Sequence, residues 1–177
     1  MAEIIVQNQV LGMVATNTYF LMNPDTKEML LVDPADEAEA IERKVAAMGG
    51  KPAAVLLTHG HYDHMLAADA VRKKYGIQVY AHELEEQVLE NASLNLSGFW
   101  STPYTMKADC LVKEGDVLQL AGYEIRVLHT PGHTLGSVCY YFPEQKILMS
   151  GDTLFFESYG RTDFATSGAR DMQKSVR

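Results

Sequence analysis

Apolar residues along this chain fall into short runs whose period changes from two to nearly four and back. Thr18–Met22 and Met29–Val32 are two such runs on either side of a turn rich in Pro, Asp and Lys, the pattern of a β-hairpin. Ala38, Ile41, Val45 and Met48 then recur at helical spacing. Asp36 stands as N-cap, Glu39 as its capping-box partner and Gly49-Gly50 as the stop. The continuous apolar run Ala53–Leu57 predicts a strand buried on both faces. Residues 63–76, "DHMLAADAVRKKYG", predict a helix with Ala67, Ala70 and Val71 on one face and Gly76 at its end. A strand at "IQVYAH" and a short helix at "ELEEQVLE" follow.

Residues 91–109 have no period and many turn formers, which marks a long loop of the kind that often carries function. Phe99, Trp100, Tyr104 and Met106 in it either line a pocket or, as aromatic residues in long loops more often do, pin the loop to the core. Strands are expected at about 117–120, 123–129, 137–142 and 146–150. The clearest is "YEIRVLH", where Tyr123, Ile125 and Val127 alternate with more polar neighbours. The last residues, from Ser167 through Met172 and Val176, read as a helix only just begun. Two mixed sheets with helices on their outer faces accommodate these elements.

Composition narrows the class. At 177 residues, 47% hydrophobic and 21% charged, the chain reads as a single globular domain spanning 1–177, large enough to bury about two-thirds of its unfolded surface. No stretch approaches the roughly 20 apolar residues of a membrane span. The opening "MAEIIVQNQVLG" lacks the basic and apolar regions of an export signal, so a cytoplasmic location is expected, with Cys110 and Cys139 as reduced, buried structural thiols. A net charge of −8 argues against nucleic acid as a partner, because no basic excess is available to displace phosphate counterions.

Candidate chemistry begins where the run Ala53–Leu57 ends. "THGHYDHM" places three of the chain's six histidines and an aspartate within six positions, 59 to 64. His59 and His61 lie two apart on an extended segment and point to one side, whereas Asp63 and His64 follow where the chain turns. The stretch therefore offers two ligand sets a short distance apart, which suits a pair of metals better than one. His133 in "HTPGHTLG", lifted by Pro131-Gly132, and Asp152 in "LMSGDTLF" sit in comparable settings after strand ends.

Through "HGHYDH", "TPGHT" and "SGDTLF", in this order and approximate spacing, the chain resembles the metallo-β-lactamase superfamily. The resemblance extends over nearly the whole chain, including "LLVDP". It implies a four-layer αββα sandwich, with His59, His61 and His133 on a first metal, Asp63 and His64 on a second, and Asp152 bridging. Zinc is the expected metal, with iron or manganese as alternatives, since imidazole and carboxylate suit all three. The implied activity is that of a metallo-hydrolase in which a metal-bound hydroxide attacks the substrate and Asp63 orients the nucleophile or takes its proton.

Within the superfamily, "GDTLFFESYGRTDF" is most similar to the type II glyoxalases (hydroxyacylglutathione hydrolases) and their short bacterial relatives. The implied partner is a small-molecule thioester, and Arg161 is the implied substrate-binding residue. Asp163 stands where longer members carry a tyrosine, and their helical glutathione-binding domain has no counterpart within these 177 residues. "GRTDF" is equally similar to the iron-dependent persulfide dioxygenases, in which His59, His133 and Asp152 would hold one iron. Lactone or β-lactam cleavage and a non-catalytic binding domain are further alternatives. His129 is expected to pack or support the site, His82 to lie at the surface or cap a helix, and Asp33 either to close a turn or to support the site. The superfamily normally supplies one more histidine to the second metal, yet only 25 residues follow Asp152 and none is histidine. The expectation is therefore a domain incomplete at its C-terminus, a second metal held weakly, and an apolar sheet surface left partly uncovered.

Overall fold

The computed structural model describes residues 3–99 and 102–177. Six strands, β1 (Ile5–Leu11), β2 (Thr16–Met22), β3 (Glu28–Val32), β4 (Lys51–Leu56), β5 (Gln78–His82) and β6 (Cys110–Val112), form one mixed sheet in chain order. The first three pair antiparallel, and the pairs from β3 to β6 are parallel. Three helices, α1 (Ala38–Met48), α2 (Ala68–Tyr75) and α3 (Glu86–Leu89), lie in the crossovers. A second sheet has the order β10 (Ile147–Met149), β9 (Val138–Phe142), β8 (Tyr123–His129), β7 (Val117–Leu120) and is antiparallel throughout rather than mixed. A small hairpin of β11 (Leu154–Phe155) and β12 (Ser158–Tyr159) and a last helix, α4 (Ala169–Ser175), complete the αββα sandwich.

Alternation along the strands divides the core in two. Leu21, Leu30, Val32, Ala54 and Leu56 of the first sheet face Tyr123, Ile125, Val127, Tyr140 and Phe142 of the second, all buried. The opposite face of the first sheet, with Phe20, Met29, Leu31, Val55 and Val79, packs on Ile41 and Val45 of α1 and Val71 of α2. Each such side chain contributes about 1.5–3 kcal/mol on burial, which fixes the register of β4 between two hydrophobic layers. On the outward side of the second sheet, Leu148, Tyr141, Arg126 and Val117 form one row in register, and Leu148 and Val117 remain exposed. Met172 of α4 is buried, packed against the turn at Gly132, so this helix covers the end of that sheet near His133.

Several local expectations give way to tertiary bonds. The helix predicted over 63–76 begins only at Ala68. Tyr62–His64 forms a 3-10 turn instead, held by Tyr62 N–H donating to Asn95 O and Leu66 N–H to Ala35 O. Its buried face is Ala67, Ala68 and Val71, and Ala70 is exposed. The capping box at α1 does not form: Glu37 occupies the cap position in a left-handed conformation, and the Asp36 carboxylate accepts from the Glu37 N–H. β1 carries no strong alternation, being largely exposed, and is a strand because it pairs with β2 over seven residues. No helix among the described residues is long and apolar enough to cross a membrane.

Candidate metal centre

Because β4 is central and parallel to its neighbours, the chain leaving its C-terminal end emerges where ligands gather in such sheets. The loop after β4 delivers His59 and His61, the 3-10 turn delivers Asp63 and His64, the loop after β8 delivers His133, and the turn after β10 delivers Asp152. His59, His61, His64 and His133 are all at least 96% buried. The ring centroids of His59 lie 4.8 Å from those of His61 and His133 and 4.2 Å from that of His64. All six residues singled out in the sequence therefore meet at one end of the sandwich.

Two ligand groups share this space: His59, His61 and His133 in one, His59, His64 and Asp152 in the other. Asp152 faces both, with one carboxylate oxygen 3.3 Å from His64 Nε2 and the other 3.3 Å from His133 Nε2. Asp63 Oδ2 lies 3.4 Å from His64 Nε2 and accepts from the Thr16 hydroxyl at 2.7 Å.

The tautomers are fixed from outside. His133 Nδ1–H donates to the main-chain oxygen of Arg161 at 2.9 Å, and His64 Nδ1–H to Asp33 Oδ2 at 2.9 Å. Asp33 also accepts the Thr58 N–H and hydroxyl, each at 2.7 Å, and the Thr58 oxygen in turn accepts from His59 Nδ1 at 3.1 Å. The His59 and His133 rings thereby turn an Nε2 lone pair inward, while His64 Nε2 faces the Asp152 and Asp63 carboxylates. His59 Nε2 is buried with no hydrogen-bond partner, and His61 Nδ1 and His133 Nε2 stand 2.9 Å apart. The His61–His133 contact is one hydrogen bond, whereas His59 Nε2 and His61 Nε2, both buried without a partner, are costly as they stand and would be satisfied by a cation. The residues fit a divalent metal.

Electrostatics agree. Burial, reinforced by the neighbouring imidazoles, holds His59 well below its ordinary pKa and brings His61 down to about 3. Burial also lowers His133 against the opposing pull of Asp152, so the first group is neutral and ready to ligate. His64 behaves differently: burial opposes its charge, yet Asp33, Asp152 and Asp63 together raise it well above the ordinary value. That corner favours a cation, and a metal held there would take the place of the proton.

Glu85, which nothing in the sequence singles out, is buried at the start of α3. Its carboxylate accepts the Gly60 N–H at 2.6 Å and the Gly136 N–H at 2.8 Å. It thereby ties the loop between His59 and His61 to the loop after His133. A Cβ at Gly60 or Gly136 would come within 2.9 Å of this carboxylate, so both positions need glycine for close approach. In sequence it is one of several acidic residues in the short helix "ELEEQVLE", with nothing to mark it as buried.

Arg161, the implied substrate-binding residue, lies on the wall of the cavity beside this centre. Its guanidinium is closed onto Asp163 by two bonds of 2.9 and 2.8 Å and lies 4.7 Å over the Phe164 ring, while its main-chain oxygen orients His133. His129 is a packing group, stacked on His82 at 4.3 Å with its Nε2–H donating to Leu135 O. His82 caps the turn after β5 as expected but is buried rather than at the surface. Cys139 is buried and Cys110 only partly so, and both are free. In the long loop, Met106 and Tyr104 pack on the core, whereas Phe99 is 78% exposed beside the centre; Trp100 lies outside the described residues.

Buried imidazoles and half-buried carboxylates meeting at one end of an αββα sandwich mark a metal-binding domain of this fold. The chain belongs to the metallo-beta-lactamase superfamily, whose family model matches residues 11–177. It is 38% identical over 167 residues to the probable metallo-hydrolase YqgX of Bacillus subtilis, a match covering 93% of this chain and 78% of the relative. It is 30% identical over 162 residues to the hydroxyacylglutathione hydrolase GloC of Haemophilus influenzae, covering 86% of this chain and 74% of that one. Among solved structures, the BLEG-1 B3 metallo-beta-lactamase superposes with a TM-score of 0.92 at 39% identity, covering 97% of this chain and 83% of the other. The di-iron-bound form of TTHA1623 gives 0.84 at 32% identity, with coverages of 97% and 84%.

Proposed function

We propose that this protein is a metal-dependent thioester hydrolase acting on small molecules. The observation that carries the reading is the placement of Asp152, with one carboxylate oxygen toward each ligand group, which suits two metals rather than one. The likeness of "GDTLFFESYGRTDF" to the type II glyoxalases and the 30% identity to GloC support the substrate class.

His59, His61 and His133 would hold one ion, Asp63 and His64 a second, with Asp152 between. Two divalent ions supply a water of lowered pKa and polarise a carbonyl oxygen, so no protein nucleophile is required. The residues of this chain position and protect that chemistry. The Thr16 hydroxyl holds Asp63, whose carboxylate is placed to orient the attacking water and accept its proton. Asp33 keeps the His64 proton on Nδ1, away from the centre. Thioester and water give a carboxylic acid and a free thiol, and the proton taken at Asp63 returns to the leaving sulfur.

A second reading, an iron-dependent dioxygenase using His59, His133 and Asp152, is kept in play by the iron in the 32% identical neighbour. The test is to follow thiol release from a thioester under argon, with oxygen uptake recorded in air and a β-lactam run in parallel. Thiol release at the same rate under argon supports the hydrolase. Product formed only with oxygen consumption replaces it with the dioxygenase, and cleavage of the β-lactam alone replaces the thioester.

A further inference from the structure

A cavity of about 650 Å³ opens directly beside the metal centre, sharing His61, Asp63, His133 and Asp152 with it, and its volume is ordinary for a small-molecule site. Val14, Phe99 and Phe155 stand on its walls. They come from three separate segments: the turn between β1 and β2, the loop 91–109, and β11. Val14 and Phe155 are each 49% exposed and Phe99 78%. One exposed apolar side chain is ordinary, but three converging on one opening mark a surface that a ligand covers.

Charge points the same way. Among the described residues Arg161 is the only lysine or arginine on the cavity wall, and its fork is filled by Asp163 two residues away. A carboxylate on a substrate would have to displace Asp163 and then stand beside it, where like charges repel. The cavity thus offers apolar surface next to the centre and no unpaired cation.

We propose that this cavity is a subsite for an uncharged, apolar acyl group, so that the substrates are medium-chain or aromatic acyl thioesters and not esters selected through an anionic carrier. The inference rests on the thioester reading above. Within that reading it means that specificity comes from the acyl side, through Phe99 and Phe155, and that the Arg161–Asp163 pair disfavours carriers bearing carboxylates.

The test uses the zinc-loaded protein with three thioesters: acetyl and hexanoyl esters of the neutral thiol N-acetylcysteamine, and the hexanoyl ester of glutathione. Binding of the S-hexyl thioethers of both thiols, which cannot be cleaved, is measured alongside. The expected result is a kcat/KM for the hexanoyl over the acetyl ester of about tenfold or more, lost in Phe99→Ala and Phe155→Ala, with no advantage for glutathione. Asp163→Ala should shift the ratio of the two hexanoyl esters about tenfold toward glutathione by freeing the Arg161 fork. Equal turnover of acetyl and hexanoyl esters, or a marked preference for the glutathione ester by the unmodified protein, overturns the proposal and leaves the hydrolase reading intact. If no thioester is cleaved, the hydrolase reading fails. The thioethers then decide the subsite: tighter binding of the neutral one, weakened by Phe99→Ala, upholds it, and equal or weaker binding refutes it.

Discussion

The Nδ1 of His133 lies 2.9 Å from the main-chain oxygen of Arg161, 28 residues further along the chain. This bond aims His133 Nε2 at the metal centre, and it belongs to the backbone of Arg161, not to its charge. Arg161→Ala should therefore leave kcat within about twofold of the parent while changing KM, since no atom that orients His133 is removed. Steady-state kinetics on two thioesters of different carrier charge provides the check. A fall in kcat of a hundredfold or more would place the guanidinium in the chemistry itself.

Asp33 accepts bonds from Thr58 and His64 at once, so the position of the second ligand group hangs on one buried carboxylate. Asp33→Asn keeps the shape but turns one acceptor into a donor, which conflicts with either the Thr58 hydroxyl or the His64 N–H. The expected outcome is weaker binding of the second metal by about 10–100-fold, with the first little changed. Metal titration of the stripped variant, followed by elemental analysis, measures both.

Glu85 makes a pH-dependent contribution whose sign follows from its surroundings. Burial raises its pKa above the ordinary 4.5, even though the bonds from Thr134, Gly136 and Gly60 act to lower it. The folded state thus holds the proton more tightly than the unfolded chain. This contribution is fully present below about pH 4.5 and is lost as pH rises through the raised folded value. Stability of the parent relative to Glu85→Gln should accordingly improve as pH is lowered across that window. Urea unfolding of both proteins at several pH values reads the difference, and a difference independent of pH would show that Glu85 titrates alike in both states.

The ligands were legible because their chemistry is written in residue types. Histidines and aspartates packed into "HGHYDH" after an apolar run, with His133 and Asp152 following other strands, leave few alternatives, and all six meet in space. The long central strand and the hairpin were readable for the same reason, since their apolar positions carry the period. What escaped is what tertiary contacts decide. β1 and β6 are strands by pairing and not by pattern. The turn at Tyr62–His64 overrides a helical spacing, because His64 is tied to Asp33. Glu85, within a stretch readable only as a short helix, is a buried clamp, and Arg161, the implied substrate-binding residue, holds Asp163 in its fork.

His61 and His133 are held at the centre without contributing volume to either hydrophobic layer. His61→Ala and His133→Ala should each lower turnover by several orders of magnitude while the circular dichroism spectrum and the cooperative unfolding transition persist. Loss of folding in both would mark them as structural residues.

In the proposed function these imidazoles and carboxylates hold metal, and the metal makes the protein a hydrolase. The direct measurement is a zinc titration of the metal-stripped protein, with thiol release from a hexanoyl thioester recorded under argon at each addition. Turnover should be absent at the start, rise with bound metal, and reach its maximum as the second ligand group fills. Full turnover in the stripped protein, or none after two equivalents are bound, would contradict it.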